Sequence, residues 1–414
     1  MEKLVVVGAG MAAGRLLDHL VRDGAGRYAV TLFGAEPRGT YNRIMLSPVL
    51  AGEMTFDETI THSPEWYREH GITVHFGETV TAIDRKNRQV ISRRGATPYD
   101  KLVIATGSAP VMPSLPGSTL RGVTAFRDFD DVGRMLAAAG QRAGRAVVLG
   151  GGVLGLEAAA ALRLRGMDVS VLHLKSHLMD RQLDAASASL LGLEFERRGI
   201  AIHTDAATKA ILGNKQVEAV VLEDGTVIGA NLVVVAIGIR PETRLAIDAG
   251  LHVERGIVVD DRLVTSDPDI LSIGECVEHD GVCYGLVAPL YEMARVAAEA
   301  LLGRESTFRP VRTATQLKVS GVSVYSAGDF AAAEDREEIV LHNEDAGSYR
   351  RLVIKDGRLL GAVLYGDVSD GAWFFDLVRD GTDTAPMRDL LIFGRGFAES
   401  EALDAYGGRC SLPG

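Results

Sequence analysis

An α/β architecture is what this sequence predicts: two parallel-sheet modules, the second inserted in the first, with a smaller α+β domain after them. Three observations predict it. Residues 4–7 are a short apolar run that turns through Gly8-Ala9-Gly10-Met11-Ala12-Ala13 into a stretch of helical apolar spacing. Residues 147–149 do the same through Gly150-Gly151-Gly152-Val153-Leu154-Gly155 and run on into Leu156-Glu157. Two further apolar runs, at 102–104 and 232–235, end alike in Ala105-Thr106-Gly107 and Ala236-Ile237-Gly238, with Pro110 and Pro241 just beyond. A strand that enters a helix through Gly-x-Gly-x-x-Gly/Ala is the Rossmann-like solution for a dinucleotide pyrophosphate. The first glycine permits the tight turn, the second leaves room for phosphate, and the third small residue lets the helix lie close on the strand. Gly8, Gly10 and Ala13 fill these places in one module and Gly150, Gly152 and Gly155 in the other, so two dinucleotides are expected.

With 414 residues the chain can bury two or three cores. Taken in order, residues 11–21 carry Ala13, Leu16, Leu17, Leu20 and Val21 at the spacing of a helix that covers a sheet. Residues 28–33 read as the second parallel strand, after which an acid is expected for the adenosine ribose; Gly34-Ala35 delay it to Glu36. Stretches 71–83 and 88–92 read as short strands and 99–107 as a buried one, and Pro110, Pro113 and Pro116 mark a junction. The second module continues with a helix after Leu154, a strand at 169–172, a helix across 183–197 and a hairpin through Glu223-Asp224-Gly225. A short buried strand at 270–276 ends in Gly274-Glu275, and a helix follows at 290–302. Past Gly303, residues 317–325, 338–342 and 349–354 are strand-like, and Asp356-Gly357 turns into 359–365. The expected boundaries are 1–118 with 241–308, 119–240 inserted between them, and 309–414.

Composition narrows the function. A formal charge of −11 argues against nucleic acid or an anionic membrane as the main partner, since both reward clustered Lys and Arg. The N-terminal apolar run is too short for a membrane span and lacks a signal-peptide pattern, so the expected location is the cytoplasm. Cys276, Cys283 and Cys410 form no Cys-x-x-Cys pair, and the ten histidines have no metal-ligand spacing, so no metal site is expected.

The ordered set Gly-x-Gly-x-x-Ala, Ala-Thr-Gly, Gly-x-Gly-x-x-Gly, Ala-x-Gly-x-x-Pro and Gly-Glu resembles the two-dinucleotide flavoprotein reductases that bind FAD and NAD(P)H. A narrower resemblance rests on Tyr41-Asn42-Arg43-Ile44-Met45-Leu46-Ser47, Val49-Leu50-Ala51-Gly52-Glu53, Gln182-Leu183-Asp184, Gly274-Glu275-Cys276, Tyr284-Gly285-Leu286-Val287-Ala288-Pro289-Leu290 and Leu317-Lys318-Val319-Ser320-Gly321. These are similar to the flavin portion of assimilatory NADH-dependent nitrite reductase large subunits, and equally to the flavin subunit of bacterial assimilatory nitrate reductases. The resemblance implies that Gly8, Gly10 and Glu36 hold the FAD adenosine and pyrophosphate and that Asn42, Arg43 and Arg127 lie along the same cofactor. It implies that Ala105, Thr106 and Gly107 pass beneath it and that Glu275, after the small Gly274, bonds the ribityl chain in place of the usual Asp. In the second module Gly150, Gly152, Gly155, Glu157, His173 and Gly238 are the expected nucleotide residues. His173 stands where an acid normally ends the strand, with Lys175 and His177 nearby, cations that suit a 2′-phosphate. The resemblance nonetheless favours NADH over NADPH.

Departures from the pattern matter as well. Pro48 stands where peroxide- and oxygen-reducing relatives have cysteine and many ferredoxin reductases have lysine, and the dithiol of disulfide reductases is missing. The cysteine-rich cluster and sirohaem segments of nitrite reductases do not follow before Gly414, so the metal centre is expected on another protein. The expected function is therefore an NADH-oxidising electron-transfer flavoprotein that serves a metal-containing nitrate or nitrite reductase subunit. No acid, base or nucleophile is assigned, because hydride and electron transfer require none. A reductase of a diffusible rubredoxin- or ferredoxin-like iron–sulfur carrier shares every motif, and a non-catalytic NADH-responsive binding module is the reading from another class.

Overall fold

The computed structural model describes residues 1–140, 144–309, 314–319 and 321–399; Ser320 and Cys410, singled out above, lie outside them. The chain folds into two compact units, each assembled from three separate stretches.

The first unit comprises Met1–Pro113, Ala125–Leu136 and Ile237–Val311. Its main sheet runs Ile270–Ser272, Lys101–Ile104, Glu2–Val7, Tyr28–Gly34, Thr73–Phe76, every pairing parallel. Leu4, Val5, Val6, Leu102, Val103 and Ile104 are all buried, as continuous apolar runs in a sheet covered on both faces must be. Helix Met11–Asp23 turns Ala13, Leu16, Leu17 and Leu20 inward and packs against helix Val287–Leu301. The stretch read as strand over 71–83 is broken by Gly77 at φ +69, so that Thr73–Phe76 joins the parallel sheet while Val80–Asp84 starts an antiparallel meander with Gln89–Ser92 and Gly95–Pro98. The two proline-ended segments noted in the sequence pair with each other, Ser108–Pro110 antiparallel to Ile239–Pro241.

The second unit comprises Ser114–Thr124, Ala137–Ala236 and Arg312–Gly414. Its first sheet has the order Ile200–His203, Asp168–Leu172, Arg145–Leu149, Leu232–Val235, Val123–Ala125, parallel through the first four strands. The expected hairpin joins Ala219–Leu222 to Val227–Gly229, with Gly225 at φ +88. The remaining stretch forms an antiparallel sheet ordered Thr315–Val319, Val322–Gly328, Arg358–Tyr365, Ser348–Lys355, Glu337–Asn343. What the sequence presents as one strand over 317–325 is thus a hairpin, reversing at Gly321 with φ +88. Asp356 and Gly357 both have positive φ, +50 and +71, as a two-residue type I′ turn demands. Helix Gly371–Asp380, unannounced by the sequence reading, buries Phe374, Leu377 and Val378 and packs on this sheet. Among the described residues no helix is long and apolar enough to cross a membrane.

Candidate functional site

The first glycine turn is shaped by steric exclusion. Gly8 sits at φ +110, its N–H donates to the Phe33 carbonyl at 2.8 Å, and a Cβ there would overlap the Ala105 carbonyl. Ala105 in turn donates its N–H to the Val7 carbonyl at 2.7 Å, so strand end and turn lie against each other. Gly10 is the N-cap of helix Met11–Asp23; among the described residues no side chain caps the helix there, and none has a heavy atom within 4 Å of where a Cβ on Gly10 would stand. The first-turn N–H groups therefore face open space, while Ala13 is wholly buried. The same packing explains the late acid: a Cβ on Gly34 would come within 2.8 Å of the Ala9 Cβ, so the strand end must stay small and the carboxylate waits until Glu36.

Around that opening the structure brings together Glu36, Tyr41, Arg43, Arg127, Ser108 and Glu275. Glu36 pairs with Arg43 and accepts the Tyr41 hydroxyl at 2.8 Å. Burial pushes the Tyr41 phenol well above its ordinary pKa, which keeps it a donor. Burial works against the charge on Arg43, yet Tyr41 and Glu36 outweigh it and hold the guanidinium above its usual value. Arg43 also donates to the Arg127 carbonyl at 2.9 Å, and Arg127 pairs with Glu275. Glu275 accepts the Ser108 hydroxyl at 2.8 Å, and a Cβ on the preceding Gly274, at φ +92, would lie 3.4 Å from Ala12 at the start of the first helix. Thr106 donates its hydroxyl to the Glu242 carbonyl at 2.7 Å, and Gly107 accepts the Glu242 N–H at 2.9 Å. Asn42 spends its side-chain oxygen on the Ile44 N–H at 3.1 Å, capping the 3₁₀ turn Arg43–Met45.

The second turn repeats the first. Gly150 sits at φ +117 and donates to the Leu172 carbonyl at 2.8 Å, and Ala236 donates to Leu149 at 2.8 Å, the counterparts of Gly8 to Phe33 and Ala105 to Val7. A Cβ on Gly155 would overlap the Gly150 carbonyl. Gly152 is the N-cap of helix Val153–Leu164, again with no side-chain cap and no heavy atom near its Cβ position among the described residues. Glu157 is half-buried on this helix. His173 does not stand out from the strand end: its ring lies under the turn, with Nδ1 accepting the Gly151 N–H at 3.1 Å. Gly238 belongs to the first unit, at φ +126, with its carbonyl accepting the Val111 N–H at 2.9 Å.

The sequence pattern of the pyridine nucleotide-disulphide oxidoreductases matches residues 2–300. The chain belongs to that family. Within it, the rubredoxin NAD+ reductase C-terminal domain pattern matches residues 314–382. This oxidoreductase chain is 44% identical over 393 residues to the NAD(P)H nitrite reductase of Bacillus subtilis (strain 168), covering 94% of itself and 49% of that protein. It is 40% identical over 393 residues to the assimilatory nitrate reductase electron transfer subunit of the same strain, covering 94% of itself and 51% of that protein. The chain thus spans about half the length of these relatives. Among solved structures, NADH:rubredoxin oxidoreductase from Clostridium acetobutylicum superimposes with a TM-score of 0.80 at 26% identity, over 93% of this chain and 96% of that one.

Sequence reasoning missed Ser108 and gave Tyr41 no role. Ser108 follows Ala-Thr-Gly directly, and its place just past the small residues that leave strand Lys101–Ile104 is the signal that could have found it. It also missed a buried relay behind the Tyr41 segment, in which His62 reaches Asp18 at 2.7 Å through Nε2 and Thr40 at 2.7 Å through Nδ1. Thr40 and His62 fit because a Cβ on Gly14 would stand 3.3 Å from Thr40; the residue after the third small position of the turn makes room for the relay.

Proposed function

We propose that this chain is an NADH-oxidising flavoprotein that binds FAD at the first glycine turn and NADH at the second, and delivers electrons to a metal-containing nitrate or nitrite reductase subunit. The observation that carries it is the duplicated opening: two helix N-termini, at Gly10 and Gly152, each with no side-chain cap among the described residues and with space where a Cβ would stand. Unpartnered N–H groups at a positive helix end suit a pyrophosphate. Identity of 44% and 40% to the two Bacillus proteins supports the nitrogen-oxyanion setting.

Each residue then has a task. Gly8, Gly10 and Ala13 admit the FAD pyrophosphate, and Glu36, paired with Arg43, accepts ribose hydroxyls. Arg43, Arg127, Asn42 and Glu275 line the same cofactor, with Ser108 and Arg127 fixing the Glu275 carboxylate, while Ala105, Thr106 and Gly107 pass beneath it. Gly150, Gly152, Gly155 and Glu157 serve the nicotinamide nucleotide, with Gly238, just past strand Leu232–Val235, in the same role. What the flavin supplies when bound is the conversion of a hydride into single electrons. The chain's residues bind and align; Pro48, in helix Leu46–Ala51, offers neither nucleophile nor charge. The cytoplasm is the compartment where NADH and a reduced partner coexist, and the acidic net charge of −11 disfavours nucleic acid and anionic membranes as partners.

Anaerobic titration with NADH tests this: the yellow flavin bleaches after two electrons, dyes are reduced readily, and nitrate or nitrite only once a metal-bearing partner is added. Nitrite reduction by the isolated chain at rates matching dye reduction would overturn it. The match of residues 314–382 to the rubredoxin reductase C-terminal domain supports a second reading, a diffusible iron–sulfur carrier as acceptor. Reoxidation of the bleached flavin by rubredoxin in preference to a nitrate or nitrite reductase subunit decides for it.

A further inference from the structure

The second glycine turn is gripped from both sides at one residue. Gly151 donates its N–H to His173 Nδ1 at 3.1 Å and accepts the Met179 N–H on its carbonyl at 2.9 Å. Met179 takes φ +49, an uncommon conformation for a side-chain-bearing residue, to make that contact. A Cβ on Gly151 would come within 2.9 Å of His173 Cγ, so the ring is packed directly under the turn. Because a backbone N–H can only donate, Nδ1 is the acceptor and the proton of the neutral ring is on Nε2. Nε2 is buried, in a residue only 9% exposed, and has no hydrogen-bond partner among the described residues. Asp180 Oδ1 lies 3.3 Å away, close enough for a charge pair but outside hydrogen-bond geometry. Among the described residues Asp180 is the carboxylate paired with the ring. The adjoining strand brings His203, whose carbonyl accepts the His173 N–H at 2.8 Å, and Lys175, His177 and Asp205 flank on the outer rim.

We infer that His173 is a positioning residue for the nicotinamide nucleotide, holding the second glycine turn in its binding shape only while the imidazole is neutral. Protonation places a hydrogen on Nδ1, facing the Gly151 N–H donor to donor, and leaves the new charge to Asp180. The turn then loses its inner anchor. The inference rests on the nucleotide assignment above and adds a control to it: nucleotide affinity falls on the acid side while flavin content stays constant.

Calorimetric Kd for NAD+ and steady-state KM and kcat for NADH with a dye, followed from neutral pH toward acid, form the test. In the unmodified protein Kd and KM rise about tenfold toward acid, the effect of leaving a buried donor unmatched, and kcat stays within about twofold. His173→Asn puts a carbonyl oxygen near the Nδ1 position, so it keeps the neutral-pH affinity and loses the acid rise. His173→Gln reaches toward the Nε2 end, and His173→Leu has no acceptor; both show the tenfold loss at every pH. Should His173→Leu fail to fold, the Asn and Gln pair decides. An acid rise that persists in His173→Asn, or unchanged affinity in His173→Gln, overturns the inference while leaving the nucleotide assignment intact. Absence of NAD+ binding and of NADH bleaching at every pH in the unmodified protein overturns both.

Discussion

Gly10 is where a single side chain separates two outcomes. Gly8 needs glycine for φ +110 and for contact with the Ala105 carbonyl, so replacing it attacks the fold itself. Gly10 has extended φ and ψ of −83° and −174°, and a Cβ there meets no described atom. Gly10→Val should therefore fold while filling the proposed phosphate space, giving protein with native melting but little visible flavin absorbance. A folded variant with full flavin would refute the placement. The glycine positions were legible in the sequence because the strand-turn-helix pattern that calls for them is local, although the atom that excludes a Cβ at Gly8 belongs to Ala105. Ser108 and the inward ring of His173 were not, because each is decided by a partner brought in by the fold: Glu275 lies 167 residues from Ser108 along the chain, and His173 lies 22 from Gly151.

At the level of elements, parallel strands of continuous apolar residues were readable, and the helices with a clear stripe followed. The hairpin at Gly321 and helix Gly371–Asp380 were not, the first because two strands of the same character meet at one short turn, the second because its aromatic content reads as strand. The Gln182-Leu183-Asp184 motif gains a physical meaning only here. Asp184 caps helix Ala185–Arg197 through the Ser187 N–H at 3.2 Å and also accepts the Tyr349 hydroxyl at 2.6 Å from the C-terminal sheet, with buried Arg351 3.7 Å away. Burial, then Asp184 itself, holds the Tyr349 phenol above its ordinary pKa, so it remains a donor at neutral pH. Asp184→Ala removes a cap, an acceptor and the charge beside Arg351, and should cost about 2–3 kcal/mol of stability; Tyr349→Phe removes one hydrogen bond and should cost about 1 kcal/mol. Urea unfolding measures both, and equal losses would show that the link to the sheet, rather than the cap, is all that Asp184 provides.

For the whole molecule, acid is the expected weakness. Hydrogen bonding to Lys101 holds the Asp269 carboxyl below its ordinary pKa, Arg336 does so for Asp329, and Ser369 with Arg350 for Asp367. A carboxylate depressed in the folded state contributes stability that is present above its unfolded value, about pH 4, and lost as pH falls through the folded one. Melting temperature should accordingly be flat near neutrality and drop below about pH 4 in both units; a profile level down to pH 3 would contradict these pairings. The interleaving of the two units also dictates an order of construction on the ribosome. The sheet begun at Glu2 is complete only when Ile270–Ser272 has been made, whereas the first sheet of the second unit draws all its strands from residues 123–235. The module that starts later can close first, and the earlier one waits, its strand Lys101–Ile104 paired to Glu2–Val7 on one side but without Ile270–Ser272 on the other, for about another 35 residues of translation. A nascent chain halted just past residue 236 therefore holds every strand of the second parallel sheet but lacks Ile270–Ser272 and Glu275 of the first unit, so under the proposed assignment flavin uptake is a late event in the life of this polypeptide.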